Sequence, residues 1–319
     1  MNGGGYETHA LLWSGTPASA IDLNPIGYTY SFLYGANGAN QIGYPAVTDT
    51  GRYHAVLWHG SAASAVDLHP DGFAQSYGFG ISGSNQVGYG EALADGFHHA
   101  LLWNGTAASA IDLQPSGVVY SDAWGVSGSQ QVGFGFGTAT GGDEHAFLWS
   151  GTAASVADLN PAGYVSSQAF GISGSVQVGN AAASNDYEHA IVWHGTAASA
   201  VDLNPMGFYS SAAYGVSSAG QVGLATSLTS THAFLWQGSA ASALDLQPFL
   251  SAVDPTLMNS IAYGISDAGV IVGNATDPSG NTYAVMWTPV PEPSSYALVT
   301  GGLFVSLLRI CGRFSRRPR

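Results

Sequence analysis

Lysine is missing from all 319 residues, and Arg52 is the only basic side chain among the first 308. Nucleic-acid binding needs Lys and Arg to neutralise phosphates, so the body of the chain is excluded as a nucleic-acid binder. Anionic polymers are disfavoured on the same ground unless a divalent cation bridges. Cysteine occurs once, at Cys311, which excludes a disulfide framework and a Cys-based zinc site. Only 8% of residues are charged, and no segment before residue 290 sustains a 3.6-residue apolar period. A long-helix protein, built on Lys, Glu and Leu, is therefore excluded. With 46% hydrophobic residues the chain can bury a sizeable core and is not a disordered one. What it does hold is Gly, at 44 positions, aromatics at 12%, and acid. All 20 acidic residues lie at or before Glu292, and five of the six Arg lie in the last 11 residues. The first 308 residues thus carry −19 and the tail +5.

Internal repetition organises the rest. His-Ala-x-x-Trp begins at His9, His54, His99, His145, His189 and His232, with a degenerate seventh copy at Tyr283. Nine residues after each of the first six Trp comes Asp-Leu, at Asp22, Asp67, Asp112, Asp158, Asp202 and Asp245, and three residues after each Asp stands a Pro. An aromatic-Gly pair and a Gln-x-Gly follow, the last unit lacking the Gln. Each unit thus holds four runs of 4 to 7 residues rich in Val, Ile, Leu and aromatics, too short for helices and suited to strands. Four antiparallel strands at a period of ~40–45 residues predict a β-propeller blade; a parallel β-helix is the competing fold. The expectation is an all-β propeller of six blades over 1–288, or seven if a segment lies upstream. The fourth strand of the last blade is expected from 20–23, leaving 9–13 over.

Spacing separates two faces. The connections from aromatic-Gly to Gln-x-Gly and from Trp to Asp are nearly constant, whereas those leading into His and into aromatic-Gly vary. In an up-and-down blade alternate connections share a face, so the variable face is the expected place for a binding site. Its loops lie around 91–97, 138–144, 181–188 and 249–260.

His-Ala-Phe-Leu-Trp at His145 and His232, the Asp-Leu pairs, and Tyr-Gly-Val-Ser…Gly-Gln-Val-Gly from Tyr214 to Gly223 resemble the HAF repeat of bacterial extracellular proteins. The resemblance covers roughly 9–287, although Asp-Leu-Asn-Pro stands where that repeat has a Gly-rich stretch. It implies an extracellular location and a propeller-like fold, and it carries no catalytic motif.

The tail has its own pattern. Pro291-Glu292-Pro293 within a linker at 289–295 precedes 13 uncharged residues, and then come Arg309, Arg313, Arg316, Arg317 and Arg319. This order resembles the PEP-CTERM sorting signal of Gram-negative bacteria. It implies a short transmembrane sorting helix at 296–311, a basic cytoplasmic tail at 312–319, and an exosortase-type enzyme that removes them. The precursor is then expected in the inner membrane and the product at the cell surface or in the extracellular matrix. Thirteen residues reach only ~20 Å against a ~30 Å hydrocarbon core, and snorkelling by Arg309 extends them. An ordinary tail anchor is the plainer alternative. Residues 1–6 contain no secretory signal, so the natural start is expected further upstream.

Residues present in every unit are expected to be architectural, since an active site is needed once. His9, His54, His99, His145, His189 and His232 with Asp22, Asp67, Asp112, Asp158, Asp202 and Asp245 are accordingly assigned to hydrogen bonding within the scaffold. Off-register polar residues are His59, His69, His98 and His194, with Glu91, Asp95, Asp143, Glu144, Asp186 and Glu188. None has zinc spacing, no EF-hand loop occurs, and calcium taken up by the acidic loops is the one cofactor considered. There is no Gly-x-Ser-x-Gly elbow and no phosphate loop. A carboxylate pair for glycoside cleavage remains open, because such acids meet in space rather than in sequence. Without an evident one-off polar cluster, the expected function is a non-enzymatic surface or matrix protein presenting a propeller for binding, to an extracellular glycan or another matrix component. An extracellular polysaccharide hydrolase or lyase is the alternative.

Overall fold

The computed structural model describes residues 8–184 and 187–289, and the backbone of 303–306. Its fold is all-β: six four-stranded antiparallel sheets follow one another as the blades of a β-propeller. Blade 2 shows the plan. Its strands are Phe73–Ser82 with the aromatic-Gly pair, Asn85–Ala92 with Gln-x-Gly, His98–Trp103, and Ile111–Asp112 with Asp-Leu. They lie side by side in chain order, each antiparallel to the next, which excludes the parallel coils of a β-helix.

Two compact units divide the chain. The first, Met1–Asn160 with Ser166–Ala169, holds the blades that begin at Tyr28–Asn37, Phe73–Ser82 and Val118–Ser127. The second, Pro161–Val165 with Phe170–Arg319, holds those whose second strands are Val176–Ala182, Gly220–Thr226 and Ile271–Thr276. Numbering the blades 1 to 6 in chain order, every repeat Trp from Trp58 to Trp287 is fully buried. Trp149, for instance, packs in one cluster with Leu102 and Leu113 of blade 2 and Ala123 and Phe147 of blade 3. The core therefore lies between successive blades.

Two glycine positions follow from this packing. A Cβ on Gly88 of Gln-x-Gly would sit 1.7 Å from the Tyr77 carbonyl oxygen of the adjacent strand, so no side chain fits there. A Cβ on Gly80 of the aromatic-Gly pair would sit 2.6 Å from the Trp124 carbonyl of the next blade, and one on Gly215 2.8 Å from the Tyr263 carbonyl. Successive first strands approach too closely for anything larger.

Connections follow the spacing. The constant Trp-to-Asp link is a short 3-10 turn such as Ala107–Ser109, in which the Ser109 hydroxyl accepts from the Asn104 amide and donates to the Thr106 carbonyl. The long insertion before the last aromatic-Gly forms the helix Gln247–Val253, with Pro248 in its first turn, where a missing N–H costs nothing.

One expectation about closure is corrected. Ile21–Asp22 pairs with Leu11–Leu12 as a separate two-stranded sheet and does not join the last blade. That hairpin is the outer half of a repeat; the Leu23 amide bonds the Ala10 carbonyl and His9 bonds Asp22, so its partners are local and the loop closed is short. Blade 6 instead takes Leu303–Ser306 as its fourth strand, paired with Thr282–Pro289. These four residues are strand and not part of the helix expected at 296–311; the rest of that segment and the basic tail at 312–319 lie outside the described residues. So do Pro291, Glu292, Pro293, Arg313, Arg316 and Arg317. No helix among the described residues is long and apolar enough to cross a membrane.

Candidate functional site

The repeated His and Asp meet in all six copies. Nδ1 of His9, His54, His99, His145, His189 and His232 lies 2.6–2.8 Å from Oδ2 of Asp22, Asp67, Asp112, Asp158, Asp202 and Asp245 respectively. The other carboxylate oxygen accepts the amide of the residue two further on, as His69 N–H to Asp67 Oδ1 at 2.8 Å. Burial alone would raise the Asp67 carboxyl, but the His54 ring and this amide outweigh it and hold it below the usual carboxylate value. Each pair fastens the outermost strand to its neighbour and turns the chain towards the next blade.

A third member of the unit went unnoticed in the sequence. Ser31, Ser76, Ser121, Ser167, Ser211 and Ser260 stand three residues before the aromatic of every aromatic-Gly pair. Each is buried, and its hydroxyl accepts the amide of the Ala that follows a repeat His, from Ala10 to Ser31 at 2.9 Å through Ala233 to Ser260 at 3.0 Å. These bonds latch the third strand of one blade to the first strand of the next. The repeated Gln is equally committed: Gln86 Oε1 accepts the Gly105 amide at 2.8 Å, with counterparts at Gln41, Gln131, Gln177 and Gln221.

Beside this constant layer runs a variable one. In each blade three positions adjoin: the residue two before the aromatic of aromatic-Gly, the residue three after the Gln, and the residue before the repeat His. The first two are direct cross-strand partners, as Tyr77 with Tyr89 and Asp122 with Phe134. The third meets the following blade, as Tyr53 does Tyr77 at 5.5 Å between rings. Across the first unit their chemistry shifts. Blades 1 and 2 present Phe32, Tyr44, Tyr53, Tyr77 and Tyr89, whose rings lie 4.6–6.5 Å from one another. Blades 2 and 3 then bring in His98, Asp122 and Glu144.

These last residues form a one-off polar cluster, contrary to the expectation from sequence. His98 stacks on Tyr89 with ring centroids 4.1 Å apart, and its Nδ1 lies 3.3 Å from Asp122 Oδ1. Asp122 is only 8% exposed, and the His98 ring is the one partner that oxygen has among the described residues. Burial pushes its carboxyl up, His98 opposes this, and the neighbouring Glu144 charge adds to it. Glu144 itself accepts a short hydrogen bond from the Tyr120 hydroxyl and another from Gln168 Nε2 at 2.6 Å. Glu91 accepts from Gln75 Nε2 at 3.0 Å. A largely buried wall of tyrosines therefore ends on two neighbouring carboxylates.

Other off-register residues have local tasks. His59 Nδ1 bonds Asn40 Oδ1 at 2.6 Å, His69 stacks on His54 at 4.0 Å, and Asp95 meets Nε2 of His99 at 3.2 Å. The backbone of His194 bonds Ser199, Asp143 and Glu188 are exposed, and Asp186 lies outside the described residues. Among the described residues no three His, Cys, Asp or Glu gather to hold a metal ion. One cavity of about 450 Å³ is lined by His69, Asp71, Phe73 and Asp112 together with Ala107 and Ala108 of a constant Trp-to-Asp link, and one of about 290 Å³ lies beside Tyr164, Tyr187, His189 and Asp202.

No protein-family model matches the chain, and no curated protein matches it. Among solved structures it is similar to TolB from Acinetobacter baumannii, at 11% identity over 74% of this chain and 62% of that one, with a TM-score of 0.49. It is also similar to a puromycin-hydrolysing peptidase of Mycobacterium tuberculosis, at 10% identity over 98% and 57%, TM-score 0.44. The β-propeller domain of the Trilobed protease from Pyrococcus furiosus shares 7% identity over 82% and 94%, TM-score 0.40. At these scores the likenesses carry no argument about activity.

Proposed function

We propose that this chain is an exported, non-enzymatic surface or matrix protein that presents its propeller to extracellular glycan. In this reading a PEP-CTERM-type segment holds the precursor in the inner membrane until an exosortase-type enzyme releases it. The observation that carries the proposal is the order of the C-terminal elements: Pro291-Glu292-Pro293, an uncharged stretch, then the Arg cluster, on a body otherwise almost free of basic residues. A positive cluster beyond an apolar segment stays cytoplasmic, which supports an acidic body on the outer side. The repeat also supports it, since residues that look catalytic in isolation recur six times in the same scaffold pair.

The test is expression behind a signal peptide in a host with an exosortase and in one without, followed by intact mass. The proposal expects a product ending shortly after Pro293 only in the first host, with blade 6 reduced to three strands by the loss of Leu303–Ser306. An identical C-terminus in both leaves a plain tail anchor.

One observation favours a second reading, an extracellular polysaccharide hydrolase or lyase: Asp122 and Glu144 are coupled carboxylates in unlike settings, one buried and one held by Tyr120 and Gln168. Release of reducing ends or unsaturated products from matrix polysaccharide, lost in both Asp122→Asn and Glu144→Gln, would establish that reading in place of the first.

A further inference from the structure

The variable layer of the first unit has a chemistry that the scaffold does not need. Its three positions per blade could be any residue that fits, and in blade 5 they are Ala212, Leu224 and Thr231. In blades 1 to 3 they are instead aromatic and then acidic, and the two kinds are in contact through the stack of His98 on Tyr89. An aromatic face offers an apolar platform with a negative quadrupole, which favours a flat apolar body or a cation lying on it. Buried or half-buried carboxylates favour a donor that brings positive charge. Asp122 Oδ1 in particular is buried, with the His98 imidazole 3.3 Å away as the one partner it has among the described residues. The long-range field has the same sign, because the first 308 residues carry −19. Such a field draws in cations and repels acidic polymers.

The geometry points to a binding site for an amine-bearing sugar polymer at Tyr77, Tyr89, His98, Asp122, Glu144 and Gln168. Sugar rings lie along the tyrosines, and a ring ammonium lies beside Glu144, within the field of the buried Asp122. A neutral glycan would use the tyrosines but bring no positive charge to Asp122 and Glu144, and a uronic-acid polymer would meet them with like charge. The inference rests on the glycan-binding reading above and narrows it to a class of sugar.

Calorimetric titration of the full chain with a β-1,4-linked glucosamine tetramer tests it, with the N-acetylated tetramer, cellotetraose and tetralysine as comparisons. The glucosamine tetramer should bind at least about tenfold more tightly than the other three. Glu144→Gln and Tyr89→Leu should each weaken it about tenfold or more, with melting temperatures near that of the parent. Glu188→Gln, on an exposed residue outside the cluster, should leave it unchanged. Equal affinity for cellotetraose would overturn the amine assignment while keeping a glycan site. Equal affinity for tetralysine would overturn the sugar assignment. Binding unaffected by Glu144→Gln and Tyr89→Leu would place the ligand elsewhere, and no binding by any tetramer would overturn the inference. Export and processing are judged by intact mass alone, so neither failure can be mistaken for the other.

Discussion

Replacing Ser121 by Ala should cost more stability than removing the more conspicuous His99. Ser121 is fully buried, and its hydroxyl accepts the Ala100 amide at 3.1 Å while donating to the Gln114 side chain. Ala100 is also fully buried, so without that hydroxyl its N–H has neither protein nor water to bond. An orphaned buried donor costs ~1–3 kcal/mol, and a value near ~2 lowers the melting temperature by ~4–8 °C for a unit of this size. The His99–Asp112 pair is different. The Asp112 side chain is 47% exposed, so after His99→Ala its carboxylate turns to water, and pairs this open contribute ~0–1 kcal/mol. Urea unfolding of both variants, with fluorescence and circular dichroism followed together, gives the two numbers. A His99→Ala cost exceeding that of Ser121→Ala would refute the reasoning, because burial would then not decide which repeat residue matters.

Three further outcomes are expected. Trp149→Ala should destabilise by ~3–5 kcal/mol in the same unfolding assay, since the ring is wholly buried between blades 2 and 3. Gly88→Ala should lower the yield of folded protein or melt far below the parent, because the added methyl meets backbone at 1.7 Å; a normal melt would show that the strands can part there. Acid should also reveal Asp67: a carboxyl held low in the folded state stabilises above its unfolded pKa and loses that contribution as pH falls through the folded value. Between about pH 5 and 2 the parent should therefore lose more stability than Asp67→Asn, and equal losses would remove the pair from the account.

The fold was largely legible in the sequence, and the site much less so. Short apolar runs recurring six times settle strand number and order, because the same local pattern must give the same local pairing. Invariant spacing marked the repeated His and Asp as scaffold residues, but not that they bond each other. The Ser latch recurs just as regularly, but Ser is so common in these turns that its one buried copy per unit does not stand out, and its partner lies in another blade. Strand exchange at the termini was misread for a related reason, since spacing does not say whether a half-repeat pairs with itself or with a distant strand. Asp122 was invisible. It occupies an ordinary strand position, and only folding brings it to His98 and Glu144, 24 and 22 residues away in the chain.

The claim at the centre of this account is that the constant layer carries stability and the variable layer of the first unit carries binding. Melting temperature and glucosamine-tetramer affinity, measured together on Ser211→Ala and Asp122→Asn, test it most directly. Ser211→Ala should melt ~4–8 °C lower with its affinity unchanged, as the loss of a buried latch in the second unit requires. Asp122→Asn should melt no lower than the parent at neutral pH, since a carboxyl pushed up by burial costs stability when ionised, and should lose about tenfold in affinity. Affinity lost in Ser211→Ala and kept in Asp122→Asn would contradict the division between the two layers.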